Sequence, residues 1–204
     1  RDSTSGHVLK VLTVVCAPSA TESPRTITAP VVWPPATSMP DTQATLLVIE
    51  GAISPSFIVD FAQAHEAAGF DMVLVGYTSS SAEGFLVAMH AAARTERLAY
   101  LIAHRPGFVA PTLFARKVAT FDHLTGGRIG WNVVTGYLNS AAKGVGLARQ
   151  PEHDTRYEIA EDYMQVMYKL WEGSWEDGAV LRDRARRTFA RPEKVHRIRH
   201  DGTY

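Results

Sequence analysis

The segment EHDTRYEIAED contains three side chains with the types and the spacing of an anion-binding group. His153 and Tyr157 are four residues apart, so a helix places both on one face, and Arg156 lies beside them. A helix that begins here adds unpaired backbone N–H groups, which together with these side chains favour a bound phosphate or carboxylate. The alternative interpretation makes Asp154 a helix N-cap and Arg156 a member of a surface ion pair.

Polar side chains also follow three apolar runs, at the points where strands would end. Tyr77 stands in GYTSSS, His104 and Arg105 stand in AHRPG, and Asn132 and Thr135 stand in NVVTGY. Ligands of parallel α/β folds bind at the carboxyl ends of the strands, so these residues are candidate ligand contacts. Capping of the next helix explains the serine run equally well, but it explains the His-Arg pair less well.

Two other patterns carry little functional weight. The segment GVGLAR is similar to a dinucleotide-binding glycine loop, but it follows no strand and lacks the third glycine. His196 and His200 have the i, i+4 spacing of metal ligands. The cations around them in HRIRH oppose a metal ion, so we interpret this stretch as a solvated tail.

The elements that position these residues alternate between apolar runs of strand length and amphipathic helices. Ser54 and Pro55 form a helix N-cap followed by proline at the first helical position. The runs DMVLVG, LAYLIA and RIGWNVVTG are almost continuously apolar, as strands buried on both faces are. Helical segments separate these runs, and a last helix is predicted from about Arg156 to Glu172.

Apolar side chains at helical spacing predict which face of each helix is buried. The predicted inward residues are Phe57, Phe61, Ala64 and Ala68 in the first helix, Phe85, Met89 and Ala92 in the second, Phe114, Val118 and Phe121 in the third, and Ile159, Tyr163, Val166, Met167 and Leu170 in the last.

Short connections between these strands and helices favour parallel strands joined by right-handed crossovers. Both an open doubly wound sheet and a (β/α)8 barrel fit this pattern. A full barrel needs about 250 residues, whereas the chain has 204 and shows four strand–helix units by Glu172. If the fold is a barrel, we expect the chain to hold about half of it.

Composition narrows the function classes. Lys plus Arg and Asp plus Glu number 21 each, so no net field favours nucleic acid or an anionic membrane surface, and a small-molecule role is favoured. No apolar run approaches the roughly 18 residues of a membrane span. Cys16 is the single cysteine; it has no disulfide partner within the chain, which fits a reducing, cytoplasmic location.

Two long segments carry a family resemblance. The run AHRPGFVAPTLFARKVATFDHLTGGRIGWNVVTG, followed by HDTRYEIAEDYMQVMYKLWEGSWEDGAV, closely resembles the bacterial-luciferase-like flavin monooxygenases. The chain is most similar to the branch of alkanesulfonate, nitrilotriacetate, dibenzothiophene-sulfone and long-chain alkane monooxygenases. The resemblance extends from about Ser54 to Val180. It implies an α/β fold, a (β/α)8 TIM barrel truncated here to roughly its first four β/α units.

The resemblance also implies an activity. The enzyme would use reduced FMN (FMNH2) and O2 to oxygenate a small organic substrate, such as an alkanesulfonate or a related organosulfur or amine compound. A separate NAD(P)H:flavin reductase would supply the FMNH2, and the full-length protein would form a homo-oligomer. Tyr77 replaces an acidic residue that is common in the nitrilotriacetate group. By position, the family's cofactor contacts fall on Tyr77, His104, Asn132, Thr135, His153 and Tyr157.

The resemblance and the composition together divide the chain into three parts. Residues 1–44 are an N-terminal strand and a loop rich in Pro, Ser and Thr, residues 45–180 a partial barrel domain, and residues 181–204 a basic irregular tail where a barrel insertion starts. No catalytic residue and no metal ligand are assigned. Two alternatives stay open, a catalytically inactive barrel fragment and an oxidoreductase of the same superfamily that uses deazaflavin F420.

Overall fold

The computed structural model describes residues 13–14, 53–76, 81–136 and 138–204. Most of the predicted N-terminal strand and loop of residues 1–44, including Cys16, lies outside these residues. The candidate contact Tyr77 lies outside them as well. The elements are β1 (Thr13–Val14), α1 (Pro55–Ala67), β2 (Met72–Val75), α2 (Gly84–Ala92), β3 (Ala99–His104), α3 (Pro111–Thr125), β4 (Ile129–Val133), α4 (Asn139–Gly144), α5 (His153–Gly173), β5 (Val180–Asp183) and β6 (Thr188–Ala190), followed by a 3-10 turn at Pro192–Lys194.

Strands β2, β3 and β4 lie side by side in chain order, and every pair in this sheet is parallel. The prediction of parallel strands joined by helical crossovers is confirmed for these units. Strand β1 pairs with the outer edge of β4, which gives the order β1-β4-β3-β2. The open edge of β4 carries backbone N–H and C=O groups that need partners, and the two residues of β1 supply some of them.

Local sequence signals explain where two of the helices begin and end. The Ser54 hydroxyl accepts a hydrogen bond from the backbone N–H of Phe57 at 3.2 Å, so Ser54 is the predicted N-cap of α1. Helix α3 begins at Pro111 and ends at Thr125, and the C-cap residue Gly126 has a left-handed φ of 67°. Gly127 follows with a φ of 94°. Such angles favour glycine, and the pair turns the chain directly into β4.

The hydrophobic core lies between one face of the sheet and helices α2, α3 and α5. Phe114, Trp131 and Tyr163 are each at most 1% exposed, and the predicted inward faces of α3 and α5 contribute to this core. The prediction for α1 is wrong, because Phe57 and Phe61 are 55% and 37% exposed. Helix α1 flanks the sheet beside α2, and these two rings contact each other at its surface.

The last 24 residues differ from the predicted irregular, solvated tail. Strands β5 and β6 form an antiparallel hairpin, and the segment after it packs on α5. Asp162 on α5 is 2.7 Å from His200 Nε2 and accepts backbone hydrogen bonds from Thr203 and Tyr204. These contacts, the His200 bond first, hold the pKa of Asp162 below its usual value. His196 contacts Glu176 instead, so the two histidines do not converge.

The length and composition of the described helices can be compared with what a membrane span requires. None of them combines the length and the apolar composition that crossing a bilayer requires.

Candidate functional site

The two faces of the sheet have different surroundings near the carboxyl ends of β3 and β4. Ile102 and Trp131 point into the core beneath the helices. Gly130 belongs to the opposite face, where a Cβ would lie 2.9 Å from the Leu101 side chain. Because strand residues alternate between faces, Asn132 shares the face of Gly130, away from the helices. The half-buried Asn132 therefore stands at the strand end that would face the interior of a barrel.

His104 lies on the other face, in the aromatic layer between the sheet and the helices. Its ring stacks on Phe114 with a centroid distance of 4.1 Å and meets the Phe85 ring edge-on at 6.0 Å. Its backbone carbonyl accepts a hydrogen bond from the Trp131 indole at 3.0 Å. His104 Nε2 is buried and has no hydrogen-bond partner among the described residues. The structure thus separates His104 from Asn132, although both end neighbouring strands.

Burial sets the charge of His104. The side chain is 7% exposed, and the loss of solvation lowers the pKa of its imidazole to about 4, with a smaller contribution from the Lys117 charge. The ring is therefore neutral at pH 7, since burial disfavours the charged form.

The loops after β3 and β4 pack against each other through Arg105 and Gly136. Gly136 has a φ of 80°, and a Cβ there would lie 2.7 Å from Cζ of Arg105. Arg105 is 3% exposed, with its guanidinium 5.2 Å from the centre of the Phe108 ring. The sequence placed both residues at strand ends but contained no signal that they touch, because the contact joins loops 31 positions apart.

A cleft of about 310 Å³ opens beside these loops. It includes Thr135 from the predicted site and combines apolar walls with a few polar groups. The described residues that line it are Pro106, Gly107, Phe108, Thr135, Val145, Leu147, Gln150, Pro151, Arg156, Ile159 and Tyr204. Gln150, Arg156 and Tyr204 are the polar groups that sequence reasoning did not place at a strand-end site. Gln150 had no motif to mark it, and Tyr204 reaches the cleft through the returning chain.

The start of α5 places His153 and Tyr157 together, as their spacing predicted. Their ring centroids are 4.9 Å apart, and both side chains are exposed. The helix begins at His153, and its N-cap residue, Glu152, makes no side-chain capping bond. The alternative in which Asp154 is the N-cap is therefore wrong. Asp154 instead lies in the first turn, 2.8 Å from His153 Nδ1.

Arg156 does not share the face of His153 and Tyr157. It is half-buried, lines the cleft, and donates from Nη1 to the carbonyl of Pro151 at 2.7 Å. The described residues provide it with no ion pair, so the alternative of a surface ion pair is also wrong.

The predicted contacts thus fall into three places. Asn132 stands at the end of β4 on the sheet face turned away from the helices, and Thr135 stands just beyond it in the cleft. His153 and Tyr157 form an exposed pair at the start of α5. His104 lies in the aromatic core. Within the described ranges, no three His, Cys, Asp or Glu side chains converge as a metal site would require.

Comparison with known proteins places this arrangement in a family. Residues 31–201 match the family model described as Luciferase-like monooxygenase. Over 113 residues the chain is 53% identical to dimethyl-sulfide monooxygenase from Hyphomicrobium sulfonivorans, which covers 55% of this chain and 24% of that protein. The matched part therefore spans about a quarter of that relative's length.

Solved structures agree with the sequence match. A crystal structure of a long-chain alkane monooxygenase superposes with a TM-score of 0.68 at 36% identity, covering 74% of this chain and 39% of that one. A riboflavin lyase with modified FMN and riboflavin superposes with a TM-score of 0.66 at 35% identity, covering 74% and 38%. The predicted α/β fold and the predicted family are confirmed: the chain belongs to the luciferase-like monooxygenase family.

Proposed function

We propose that the full-length protein is a two-component monooxygenase that uses reduced FMN and O2 to oxygenate a small organic substrate. Family membership supports an oxygenase, and one observation in the structure supports the cofactor. The end of β4 and the start of α5 present polar side chains that are not buried in the core. They are the amide of Asn132, the hydroxyl of Thr135, the imidazole of His153 and the phenol of Tyr157. A similar solved structure contains a modified FMN.

The groups at the start of α5 fit the phosphate of FMN. The first turn has backbone N–H groups without a side-chain cap, and the His153 and Tyr157 side chains stand exposed beside it. Such a helix start attracts anions through its N–H groups and its dipole. Asp154 opposes this attraction, but its carboxylate is 95% exposed and water screens it.

The polar groups at the end of β4 fit the ring system. Asn132 offers an amide that both donates and accepts hydrogen bonds, and Thr135 offers a hydroxyl. We propose that these two side chains orient the isoalloxazine ring, while His104 supports the end of β4 from the core through Phe114 and through the Trp131 indole. A contact from Tyr77 stays a prediction. No described side chain is assigned the role of a catalytic acid or base.

When bound, reduced FMN would supply two electrons and two protons to O2, so that one oxygen atom would enter the substrate and the other would leave as water. The protein's part is to bind the cofactor, to orient it and to keep water from the reacting atoms. We propose that a separate NAD(P)H:flavin reductase delivers the reduced cofactor and that the substrate is an organosulfur compound or an amine. The similarity to dimethyl-sulfide monooxygenase supports the organosulfur class. A homo-oligomer in the cytoplasm also stays a prediction.

A cofactor titration tests this site. Full-length protein carrying His153→Ala and Tyr157→Phe should bind FMN and anaerobically reduced FMN roughly 10- to 100-fold more weakly, because two hydrogen bonds to a charged phosphate are lost. Flavin fluorescence and equilibrium dialysis measure the affinity. His123→Ala is the matched control, since this exposed histidine lies in the last turn of α3, at the opposite end of the sheet. Equal FMN affinities of wild type, the double variant and His123→Ala would contradict the assignment of His153 and Tyr157 to the FMN phosphate.

A further inference from the structure

The cleft contains a cation for which the described residues provide no counter-ion. Arg156 is its one charged residue among the described lining residues, and no carboxylate of the described chain pairs with it. Its Nη1 donates to the Pro151 carbonyl, which fixes the guanidinium in place, while Nε is buried and has no hydrogen-bond partner among the described residues. A half-buried guanidinium keeps its charge, and removing an unpaired charge even partly from water costs free energy. An anionic ligand group would remove this cost.

Gln150 adds an unfilled acceptor to the same cleft. Its Nε2 donates to the Thr135 carbonyl at 3.4 Å, and its backbone N–H donates to Asn139 Oδ1 at 3.0 Å. The Nε2 bond orients the side-chain amide, because the reverse orientation would bring its oxygen against the Thr135 carbonyl. Gln150 Oε1 is then buried without a partner among the described residues. A buried acceptor of this kind calls for a hydrogen-bond donor.

The remaining walls limit the size and the polarity of the ligand. Phe108, Leu147 and Ile159 supply apolar surface. At Gly107 a Cβ would come within 2.6 Å of the Tyr204 hydroxyl, so the loop and the returning chain close tightly there. A volume of about 310 Å³ suits a small molecule with a short hydrocarbon part.

The cleft is distinct from the exposed pair at the start of α5. Successive helical residues are rotated by about 100°, which turns Arg156 and Ile159 roughly 60° and 120° away from His153. Tyr157 lies on the His153 side, about 40° in the other direction. Of these four residues, only Arg156 and Ile159 line the cleft. A ligand on the exposed pair and a ligand in the cleft would therefore use different faces of one helix.

We propose that this cleft binds a small organic carboxylate that carries a hydroxyl or N–H donor beside its charged group. The carboxylate pairs with Arg156, the donor bonds to Gln150 Oε1, and the hydrocarbon part lies against Phe108, Leu147 and Ile159. Thr135, a proposed contact of the flavin ring, also lines this cleft, but the contacts proposed for Arg156 and Gln150 involve neither the ring nor its chemistry.

Three probes test the proposal on the full-length protein in the absence of flavin. Isothermal titration should show binding of 2-hydroxyhexanoate. Hexanoate should bind about 5- to 10-fold more weakly, because Gln150 Oε1 stays unpaired. Neutral hexanamide should not bind. Equal binding of hexanoate and hexanamide would overturn the role of the charge. Absence of binding by 2-hydroxyhexanoate would overturn the site itself.

Variants assign the recognition to residues. Arg156→Met should lower the affinity for 2-hydroxyhexanoate at least about 10-fold, and Arg156→Lys should retain part of that affinity. Gln150→Met should bind 2-hydroxyhexanoate and hexanoate with equal affinity. Arg149→Met is the control, because the Arg149 side chain is 81% exposed and pairs with Glu152. Circular dichroism and the melting temperature verify the fold of each variant, and Arg156→Lys provides the comparison if Arg156→Met fails to fold.

A parallel FMN titration separates the two proposals. Arg156→Met should leave FMN affinity within about 2-fold of wild type, because none of the proposed flavin contacts comes from Arg156. The proposal of a separate site is wrong if FMN competes with the acid and Arg156→Met weakens FMN binding as much as it weakens binding of the acid. The cleft would then belong to the flavin. Failure of wild-type protein to bind FMN would contradict the proposed function and leave the carboxylate result standing.

Discussion

Phe114→Ala is expected to lower the free energy of unfolding by about 3–5 kcal/mol, the cost typical of removing a fully buried aromatic side chain. Phe114 is 0% exposed. Its ring centroid lies 4.1 Å from that of His104, 4.7 Å from that of Trp131 and 5.5 Å from that of Phe85. One substitution therefore opens a cavity among α2, α3, β3 and β4, next to the strand ends that carry the proposed flavin contacts. Urea unfolding of the full-length protein measures the loss.

The adjacent residue provides the control for this prediction. Leu113 is 51% exposed, so Leu113→Ala should change the free energy of unfolding by no more than about 0.5 kcal/mol. Similar losses in the two variants would show that Phe114 is not the centre of the core.

The second large effect is a dependence of stability on pH through His104. Burial lowers its pKa from 6.5 to about 4 in the folded protein, so below pH 6.5 the unfolded chain takes up a proton that the folded chain does not. The stability due to the neutral ring is complete above pH 6.5 and falls as the pH drops toward 4. A shift of this size corresponds to at most about 3 kcal/mol.

His104→Phe isolates this contribution, because phenylalanine keeps a stacked ring and does not titrate. The difference in unfolding free energy between wild type and variant should change between pH 6.5 and 4 and then level off. Carboxylates with lowered pKa values, such as Asp162 and Glu66, stabilise the folded protein when charged. Acid also removes this contribution, but it does so equally in wild type and variant. His123→Phe is the control at an exposed site. A pH-independent difference would show that His104 is not buried in its neutral form.

The order of elements could be predicted because their signals are local. Ser54-Pro55 marks one helix start and Gly126-Gly127 one helix end, and the apolar runs give the parallel strands. The face of each strand residue could not be predicted in the same way. LAYLIA is apolar throughout, so nothing in its pattern distinguishes the core side from the barrel side. For this reason the sequence grouped His104 with Asn132, and the structure places them on opposite faces.

Contacts between distant segments account for the other differences. The i, i+4 spacing of His196 and His200 indicated a common face, but the chain there is not helical. Each histidine pairs with a different carboxylate, that of Glu176 or that of Asp162. Arg156 has the residue type of an anion-binding group, and that role stays a prediction. Its place in a cleft depends on Gly107 and Tyr204, each more than 45 positions away, and no local pattern encodes that packing.

An oxygen-labelling experiment tests the central claim most directly. Full-length protein is supplied with reduced FMN, 18O2 and, in turn, dimethyl sulfide, an alkanesulfonate, a secondary amine and a long-chain alkane. The account predicts that at least one of these yields a product with a single 18O atom, and that oxidised FMN yields none. Reoxidation of the flavin at the rate of free reduced FMN, with no labelled product from any substrate, would contradict the assignment of this protein as a flavin-dependent monooxygenase.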